Sequence, residues 1–314
     1  MKAIGIYRPD QIHDLTVIDV PVPNIDDNEV LVRVQTVGVG IHDRWALPPK
    51  PRFPYAIGLE GAGIIANVGS AVKGFEPGDR VMFSATPQPK GGTWAEFAAV
   101  SADALIAMPE GLAFTEAAAL PIAGTTALEG IKALGLNRGD TVFMAGASGA
   151  IGTLAIQLAT MRGYRVTASA SAKNHEYMRS LGAEFAVDYH DPEWSKQVLR
   201  WIPGGVDAAI AIQPGTGRTS LQVVRDGGKV VTVSGDQVTS ERYITVEQVM
   251  HHPETRQDLF LLAADVAAGR MRAVVEQIYP FEQGLEALEK TATRHARGKI
   301  ILTIAERSVV SGQC

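Results

Sequence analysis

Cysteine is almost absent from this sequence of 314 residues, because its one cysteine, Cys314, is the last residue. An intrachain disulfide needs two cysteines and is therefore excluded, as is a zinc site built from several thiolates. Long apolar runs are also missing. No run approaches the roughly 20 residues that a membrane-spanning helix requires, and the first segment, MKAIGIYRPD, has no apolar signal core. We therefore expect a soluble, cytoplasmic protein without a membrane partner.

Positive charge is in deficit. The chain has 34 acidic and 29 basic residues and a formal net charge of −5. A protein that binds nucleic acid through bulk positive charge shows the opposite balance, so this class of function is disfavoured. Apolar residues are abundant, at 46% of the chain. At about 150 residues per domain, its length predicts two domains around a single active cleft.

Residues 1–112 have the texture of a β-rich domain. Short alternating runs are separated by glycine and proline, a pattern typical of a barrel-like fold. Strands are predicted at Lys2–Ile6, Leu15–Val20, Val30–Val39, Gly61–Val68, Val81–Phe83 and Trp94–Val100.

After Pro109 the pattern changes. An alanine-rich helix is predicted over Thr115–Leu134, with a kink at Pro121. From residue 141 strands and helices alternate, which indicates a doubly wound parallel sheet. The predicted strands are Thr141–Ala145, Arg165–Ser169, Phe185–Val187, Val206–Ile212 and Lys229–Ser234; the helices are Ala150–Met161, Lys173–Leu181, Glu193–Trp201, Thr219–Val224 and Thr255–Ala268. A helix at Phe281–Thr293 and a strand at Lys299–Thr303 follow, and we expect this segment to return to the β-rich domain.

The strongest motif is TVFMAGASGAIG at Thr141–Gly152, which places a glycine-rich turn between a strand and a helix. Such a turn binds a dinucleotide pyrophosphate, because the helix N-terminus offers free N–H groups and the positive end of a dipole. Gly149 would allow the backbone to approach the pyrophosphate, and Gly152 would allow the helix to pack on the strand. The alternative is a plain turn. The predicted cofactor loop comprises Gly146, Ala147, Ser148, Gly149, Ala150, Ile151 and Gly152.

The next strand ends in TASASAKNHE, with no carboxylate before Glu176. An NAD site usually has an acidic residue near this point, which bonds the ribose 2′-hydroxyl. Here Ser169, Ser171 and Lys173 offer hydroxyl groups and a cation, which suit a 2′-phosphate. The pattern predicts NADPH, the alternative being that Lys173 is a solvated helix residue.

The ordered motifs GLEGAGII, GDRV, GGTWAEF, AGASGAIG, AVDY and GKIIL together resemble the medium-chain dehydrogenase/reductase superfamily. Within it, the sequence is similar to the zinc-independent quinone oxidoreductases. The resemblance covers nearly the whole chain. It implies a discontinuous, GroES-like catalytic domain at 1–112 and 271–314, an inserted Rossmann domain at 113–270 that binds NADP, and a homodimer.

The resemblance also implies that no metal is bound. Zinc-dependent members carry a cysteine where this sequence has Gly40, within GVGIHD, and a histidine where it has Leu59. A catalytic zinc needs about three protein ligands, and both of these are lost. Asp43 and Glu60 resemble carboxylates that have lost their metal, and we expect them to be structural. Quinone reductases of this type often have asparagine at the position of Gly40, so the subfamily stays open.

Three residues are candidates for the reacting centre. His42 falls where zinc dehydrogenases carry a relay hydroxyl and would act as a general acid, unless it is an ordinary loop histidine. Trp45 and Tyr55 belong to the loop that lines the family's substrate cleft. Tyr55 would donate a hydrogen bond to a carbonyl oxygen, the alternative being packing in the cleft wall.

Further cofactor contacts are implied by position in the family pattern. Thr125 matches a threonine near the nicotinamide carboxamide, Tyr189 a tyrosine over the adenosine, and Arg294 an arginine that contacts phosphate. Ser234 and Gly235 end a predicted strand at its carboxyl edge, where ligands bind in open α/β sheets. For each, ordinary packing or surface exposure is the alternative.

The function expected from these features is hydride transfer from NADPH without a metal. Without a Lewis acid, an ordinary alcohol or carbonyl is a poor substrate, so the acceptor is a quinone or an α,β-unsaturated carbonyl. Water, His42, Tyr55 or the ribose hydroxyl would supply the proton. Two alternatives stay open: an enoyl-thioester or alkenal reductase on the same fold, and a crystallin-like or regulatory protein that binds NADPH with little turnover.

Overall fold

The structure is a computed structural model that describes residues 1–11 and 14–304, so Cys314 lies outside the described residues. The chain divides into two compact units. The first comprises residues 1–121, 275–295 and the described residues from Lys299 onward; the second comprises 122–274 and 296–298.

The first unit is built mainly from antiparallel strands. In chain order they are β1 (Lys2–Ile6), β2 (Thr16–Asp19), β3 (Glu29–Val39), β4 (Tyr55–Ala56), β5 (Glu60–Val68), β6 (Arg80–Ser84), β7 (Phe97–Ser101) and β8 (Leu105–Ala107), followed by the short helix α1 (Phe114–Ala117). Strands β2, β1 and β4 form a three-stranded sheet, and β3, β5, β6 and β8 form part of a seven-stranded sheet in which β7 also pairs with β3. The alternation of β3 leaves Val30, Val32 and Val34 buried, which anchors this sheet in the core.

The second unit alternates helices and strands. Its elements are α2 (Pro121–Leu134), β9 (Thr141–Ala145), α3 (Ala150–Met161), β10 (Arg165–Ser169), α4 (His175–Ser180), β11 (Phe185–Val187), α5 (Trp194–Trp201), β12 (Val206–Ala211), α6 (Thr216–Ser220), β13 (Val224–Thr232), β14 (Thr245–Gln248) and α7 (Thr255–Ala267). All six strands are parallel, in the order β11-β10-β9-β12-β13-β14. The order reverses between β9 and β12, which is where doubly wound sheets bind ligands.

The last segment supplies β15 (Val275–Pro280), α8 (Gly284–Ala292) and β16 (Lys299–Thr303). Strand β16 pairs antiparallel with β3, Ile300 lying opposite Val39 and Thr303 opposite Thr36. The end of the chain is therefore part of the β-rich sheet, and Lys299 lies beside the end of β3.

The elements differ from the sequence prediction at several places. The helix predicted over Thr115–Leu134 is two helices, and Pro121 begins the second instead of kinking the first, because proline fits the first helical position. The predicted strand Trp94–Val100 begins at Phe97, and Thr219–Val224 is only in part helical. Strands β4, β8, β14 and β15 were not predicted. The first two are only two and three residues long, and most residues of β14 and β15 are exposed or half-buried, without the apolar alternation that marks a strand in sequence.

Candidate functional site

The glycine-rich loop in the second unit connects β9 to α3. All five residues of β9 are buried, and the Ala147 N–H donates to the Ser169 carbonyl oxygen at 3.1 Å, which ties the loop to the neighbouring strand. The first helical hydrogen bond runs from Thr153 N–H to Gly149 O at 3.0 Å. The N–H groups of Ala150, Ile151 and Gly152 therefore precede the helical ladder and are available to an anion.

The three loop glycines serve different steric needs. Gly146 has φ +81°, and a Cβ there would meet the Gln213 side chain at 2.5 Å. A Cβ on Gly152 would lie 2.6 Å from the Ala147 backbone, so this glycine allows the helix to approach the loop. A Cβ on Gly149 would meet nothing closer than 3.9 Å. Open space over Gly149 is what a bound pyrophosphate requires.

The predicted 2′-phosphate residues lie at the end of β10. Ser169 is 5% exposed, and the Ser171 hydroxyl accepts a hydrogen bond from Asn174 Nδ2 at 3.3 Å. Lys173 is exposed and makes no ion pair within residues 1–11 and 14–304. Of the three, Lys173 is therefore the side chain that is free to meet an anion.

Asp188, an acidic residue that was not predicted from the sequence, lies close to Lys173 in the chain fold. Asp188 follows β11, and its Oδ2 accepts the Ala172 N–H at 3.2 Å. The His190 backbone N–H donates to Asp188 Oδ1 at 3.0 Å, and these hydrogen bonds, that of the His190 backbone foremost, hold the pKa of Asp188 below its ordinary value. Its carboxylate serves to connect two loops. The signal was weak in sequence because Asp188 follows the third strand of the sheet, not the second.

Arg297 is a second residue near the cofactor loop that was not predicted from the sequence. The Gly298 N–H donates to Ser148 O at 2.9 Å, and Gly298 forms a parallel bridge with Gly149. Arg297 therefore lies next to the cofactor loop, and its guanidinium stacks over the Tyr177 ring at 4.6 Å. Arg294, the predicted phosphate contact, lies in the turn after α8, in the first unit, with φ +57°.

The remaining predicted cofactor residues lie on separate elements. Thr125 is half-buried in α2, and Tyr189 is 46% exposed beside His190, their ring centroids 4.1 Å apart. Ser234 and Gly235 lie beyond the end of β13, which is Thr232 and not Ser234 as predicted. All four are in the second unit.

In the first unit, the turn after β3 contains a buried carboxyl group. Asp43 is 1% exposed, and its Oδ2 accepts the Gly40 N–H at 2.7 Å. Its Oδ1 has no hydrogen-bond partner among the residues that the structure describes. Burial, reinforced by the charge of Glu60 and opposed by the Gly40 hydrogen bond and by Lys299, raises the pKa of Asp43 to about 7. Asp43 therefore exchanges a proton near neutral pH.

A buried ion pair lies at the same strand ends. Glu60 begins β5 at 1% exposure, and its Oε1 accepts a hydrogen bond from Nζ of Lys299, which begins β16 at 7% exposure. Gly38 provides the room, because a Cβ there would approach Glu60 Oε1 to 2.7 Å. A buried charge is tolerated when it is paired, so each member of this pair depends on the other.

The three candidates for the reacting centre differ in exposure. His42 is exposed in the turn, and its carbonyl oxygen accepts from the N–H groups of Trp45 and Ala46, each at 3.0 Å. Trp45 is 57% exposed, whereas Tyr55 is 1% exposed within β4. Burial raises the pKa of Tyr55 to about 12. For Tyr55 this favours the packing interpretation that the sequence left open.

A glycine-rich turn at the switch point of a parallel sheet, in a chain that also forms a separate β-rich unit, defines a class: the nucleotide-dependent oxidoreductases of α/β fold. Residues 26–110 match the family described as alcohol dehydrogenase GroES-like domain, and residues 181–302 match the family described as zinc-binding dehydrogenase.

Individual relatives agree with these matches. The chain is 30% identical to the chloroplast envelope quinone oxidoreductase homolog of Arabidopsis thaliana, over 91% of this chain and 92% of the relative. It is 30% identical to the chloroplastic NADPH-dependent alkenal/one oxidoreductase of Arabidopsis thaliana, over 90% and 74%. The solved quinone oxidoreductase of Coxiella burnetii superposes with a TM-score of 0.85 at 28% identity, over 97% and 99%.

The chain belongs to the medium-chain dehydrogenase/reductase superfamily, in its quinone oxidoreductase-like branch. It is an oxidoreductase that uses a pyridine nucleotide, NAD(P)H, and its fold combines a GroES-like unit with a Rossmann unit. The family expected from the sequence is thus confirmed. No helix in the described part of the chain is long and apolar enough to cross a membrane.

One of the matched families is described by its zinc, but the side chains of this chain do not fit that metal. Gly40 and Leu59 offer no donor atoms, and Glu60 already accepts the Lys299 ammonium. Within residues 1–11 and 14–304, no three histidine, cysteine or acidic side chains are grouped so that they could hold an ion. A site of three protein ligands cannot be assembled from what lies at this strand end.

Proposed function

We propose that this protein is an NADPH-dependent reductase that transfers a hydride, without zinc, to a quinone or an α,β-unsaturated carbonyl. The observation that carries the proposal is a complete dinucleotide loop in a chain whose metal-ligand positions are Gly40 and Leu59. NADPH supplies the hydride when it is bound. The protein contributes binding and orientation, since no group at the strand end replaces the Lewis acid of zinc-dependent relatives.

Two cationic side chains support the proposal that the protein prefers NADPH to NADH. Lys173 is exposed beside the end of β10, and Arg297 lies beside the cofactor loop. A phosphate attracts both, whereas a ribose hydroxyl gains much less from either. The printed name of the Arabidopsis alkenal/one oxidoreductase specifies NADPH, which favours the same cofactor here.

The acceptor must already be electrophilic. A hydride adds to the β-carbon of an enone or to a quinone because the adjacent carbonyl groups take up the negative charge. The names of the relatives, quinone oxidoreductase and alkenal/one oxidoreductase, support these two acceptor classes. The exposed His42 is the first candidate for the proton donor, with water, Tyr55 or the ribose hydroxyl as the alternatives.

The experiment is a panel of acceptors with NADPH oxidation as the readout. Benzoquinone, a short-chain enone, an enoyl thioester and a saturated ketone are compared at equal concentration, with and without a strong chelator. We expect turnover of the quinone or the enone, none of the saturated ketone, and no loss on chelation. Reduction of the saturated ketone, or chelator-sensitive activity with one zinc per chain by elemental analysis, would contradict the proposal.

The alternatives have their own outcomes in the same panel. A preference for the enoyl thioester would assign the chain to that reductase class; a trans-enoyl reductase of Aspergillus terreus is 33% identical to this chain over 56% of its length. Tight NADPH binding without turnover of any acceptor would identify a crystallin-like or regulatory protein.

Assembly and location complete the proposal. We expect the two compact units to act as the catalytic and the NADP-binding domain, in a cytoplasmic homodimer that binds small molecules and not nucleic acid. Strand β14 supports the dimer, because it is the edge of the parallel sheet and three of its four residues are exposed. An uncovered edge strand is a ready surface for pairing with a second chain.

A further inference from the structure

The buried charges of the first unit converge on one end of its large sheet. Strand β3 ends beside Gly40, β5 begins with Glu60, and β16 begins with Lys299. The antiparallel pairing of β3 with both β5 and β16 brings these three ends together. Gly40 and Leu59 lie at the same strand end.

The charges at this strand end do not balance when Asp43 is ionised. Lys299 brings one positive charge, and Glu60 and Asp43 bring up to two negative charges. Lys299 is hydrogen-bonded to Glu60 and lowers the pKa of Asp43 through its charge, so it acts on both acids. Among the described residues, the charged groups that act on the Asp43 carboxyl from other elements are Glu60 and Lys299; His42 and Arg44 flank it on its own turn.

The Asp43 carboxyl also has unused hydrogen-bonding capacity. Its Oδ2 accepts from Gly40, and the Leu59 backbone N–H lowers the pKa of the carboxyl more weakly, while the buried Oδ1 has no partner within hydrogen-bond distance in the described part of the chain. A buried acceptor left without a donor is costly, and a proton on that oxygen removes the uncompensated charge. The same turn holds the exposed side chains of His42 and Trp45.

We propose that Lys299 is the cation that favours negative charge on the acceptor at this strand end, and that Asp43 is the neighbouring acid whose proton sets the net charge beside it. With Asp43 protonated, the cluster of Asp43, Glu60 and Lys299 is neutral. With Asp43 ionised, it carries one negative charge. Both are positioning residues, since they are too buried to touch an acceptor.

The consequence for the reaction follows from charge. An acceptor gains negative charge as it takes up the hydride, so an ionised Asp43 nearby opposes the reaction and Lys299 favours it. This inference rests on the proposed hydride transfer. Activity should therefore fall as the pH rises through about 7, the pKa of Asp43.

The test is the pH profile of kcat/KM with NADPH and one quinone, for the wild type and four variants. In the wild type we expect a decrease of about tenfold on the alkaline side of neutrality, the size of a modest electrostatic interaction. Asp43→Asn should lack this decrease. Lys299→Met should be slower by about tenfold below neutrality, with its decrease moved to higher pH, and Lys299→Arg should restore most of both. His42→Gln removes the candidate proton donor and should lower the rate at every pH, while the activity that remains should still decrease at the wild-type pH, which separates Asp43 from the exposed histidine.

Folding is checked by urea unfolding across the same pH range. Because burial raises the pKa of Asp43, the unfolded wild type ionises first, and stability should fall between about pH 4 and pH 7; Asp43→Asn should lack that component. NADPH affinity should stay unchanged in every variant. An unaltered profile in Asp43→Asn, or in Lys299→Met, would overturn the inference. A wild type that does not reduce the quinone with NADPH at any pH would instead overturn the proposed function.

Discussion

At the scale of single residues, cofactor choice depends on where cations lie. Lys173 is exposed and unpaired within the described chain, so a 2′-phosphate meets no competing carboxylate on it. A charge-assisted hydrogen bond to phosphate contributes about 1.5–3 kcal/mol. Lys173→Ala should therefore weaken NADPH binding by about 10- to 100-fold and leave NADH almost unchanged. Lys173→Glu should repel NADPH and shift the preference toward NADH.

The measurement is the ratio of kcat/KM for the two cofactors, with one quinone held constant. Lys73→Ala, which removes another exposed lysine, is the control and should change neither value. Equal weakening of both cofactors by Lys173→Ala, or a wild type that prefers NADH, would show that Lys173 is only a solvated residue. Arg297→Ala belongs in the same series, because Arg297 lies beside the cofactor loop.

At the scale of an element, two glycines of the loop between β9 and α3 have different roles: one serves cofactor binding and the other serves folding. Gly149 has φ −78° and ψ 178°, a conformation open to any residue, and a Cβ there meets open space. Gly149→Val should therefore fold normally and lose cofactor binding, because its side chain occupies the pyrophosphate space. Gly152→Val is the matched opposite: its Cβ would lie 2.6 Å from the Ala147 backbone, so it should destabilise the fold by about 1–3 kcal/mol.

Fluorescence titration with NADPH and urea unfolding of both variants give the two readouts. Unchanged NADPH affinity in a folded Gly149→Val protein would show that the loop is a plain turn. A fully stable Gly152→Val protein would show that α3 does not need its close approach to the loop.

At the scale of the whole molecule, the proposed dimer depends on the edge of the parallel sheet. Tyr243 and Met250, on either side of β14, are 92% and 68% exposed in the single chain. Exposed apolar side chains beside an edge strand mark a contact surface. The double variant Tyr243→Asp/Met250→Asp should shift the protein from dimer to monomer in size-exclusion chromatography with light scattering. Met161→Asp, which charges a 53% exposed methionine on α3, should leave the dimer intact. A monomeric wild type would contradict the dimer, and a dimeric double variant would place its interface elsewhere.

The sequence by itself determined the elements with strong local signals. The bounds of β9, α3, β10 and β11 agree with the prediction, because buried parallel strands, a glycine turn and a largely apolar helix each have a signal in neighbouring residues. The family and the use of a pyridine nucleotide also followed from ordered local motifs. Strands β14 and β15 escaped prediction, since polar and exposed strands depend on pairing and not on an apolar pattern.

Only the tertiary structure decided which distant residues meet. Lys299 and Glu60 are separated by 239 positions, and their pairing exists because β16 and β5 both flank β3. Arg297 likewise lies beside the cofactor loop because of the bridge between Gly149 and Gly298. The burial of Tyr55 and the raised pKa of Asp43 have the same origin. Solvent exclusion and the proximity of charges are set by packing across the chain, and no local pattern of residues encodes them.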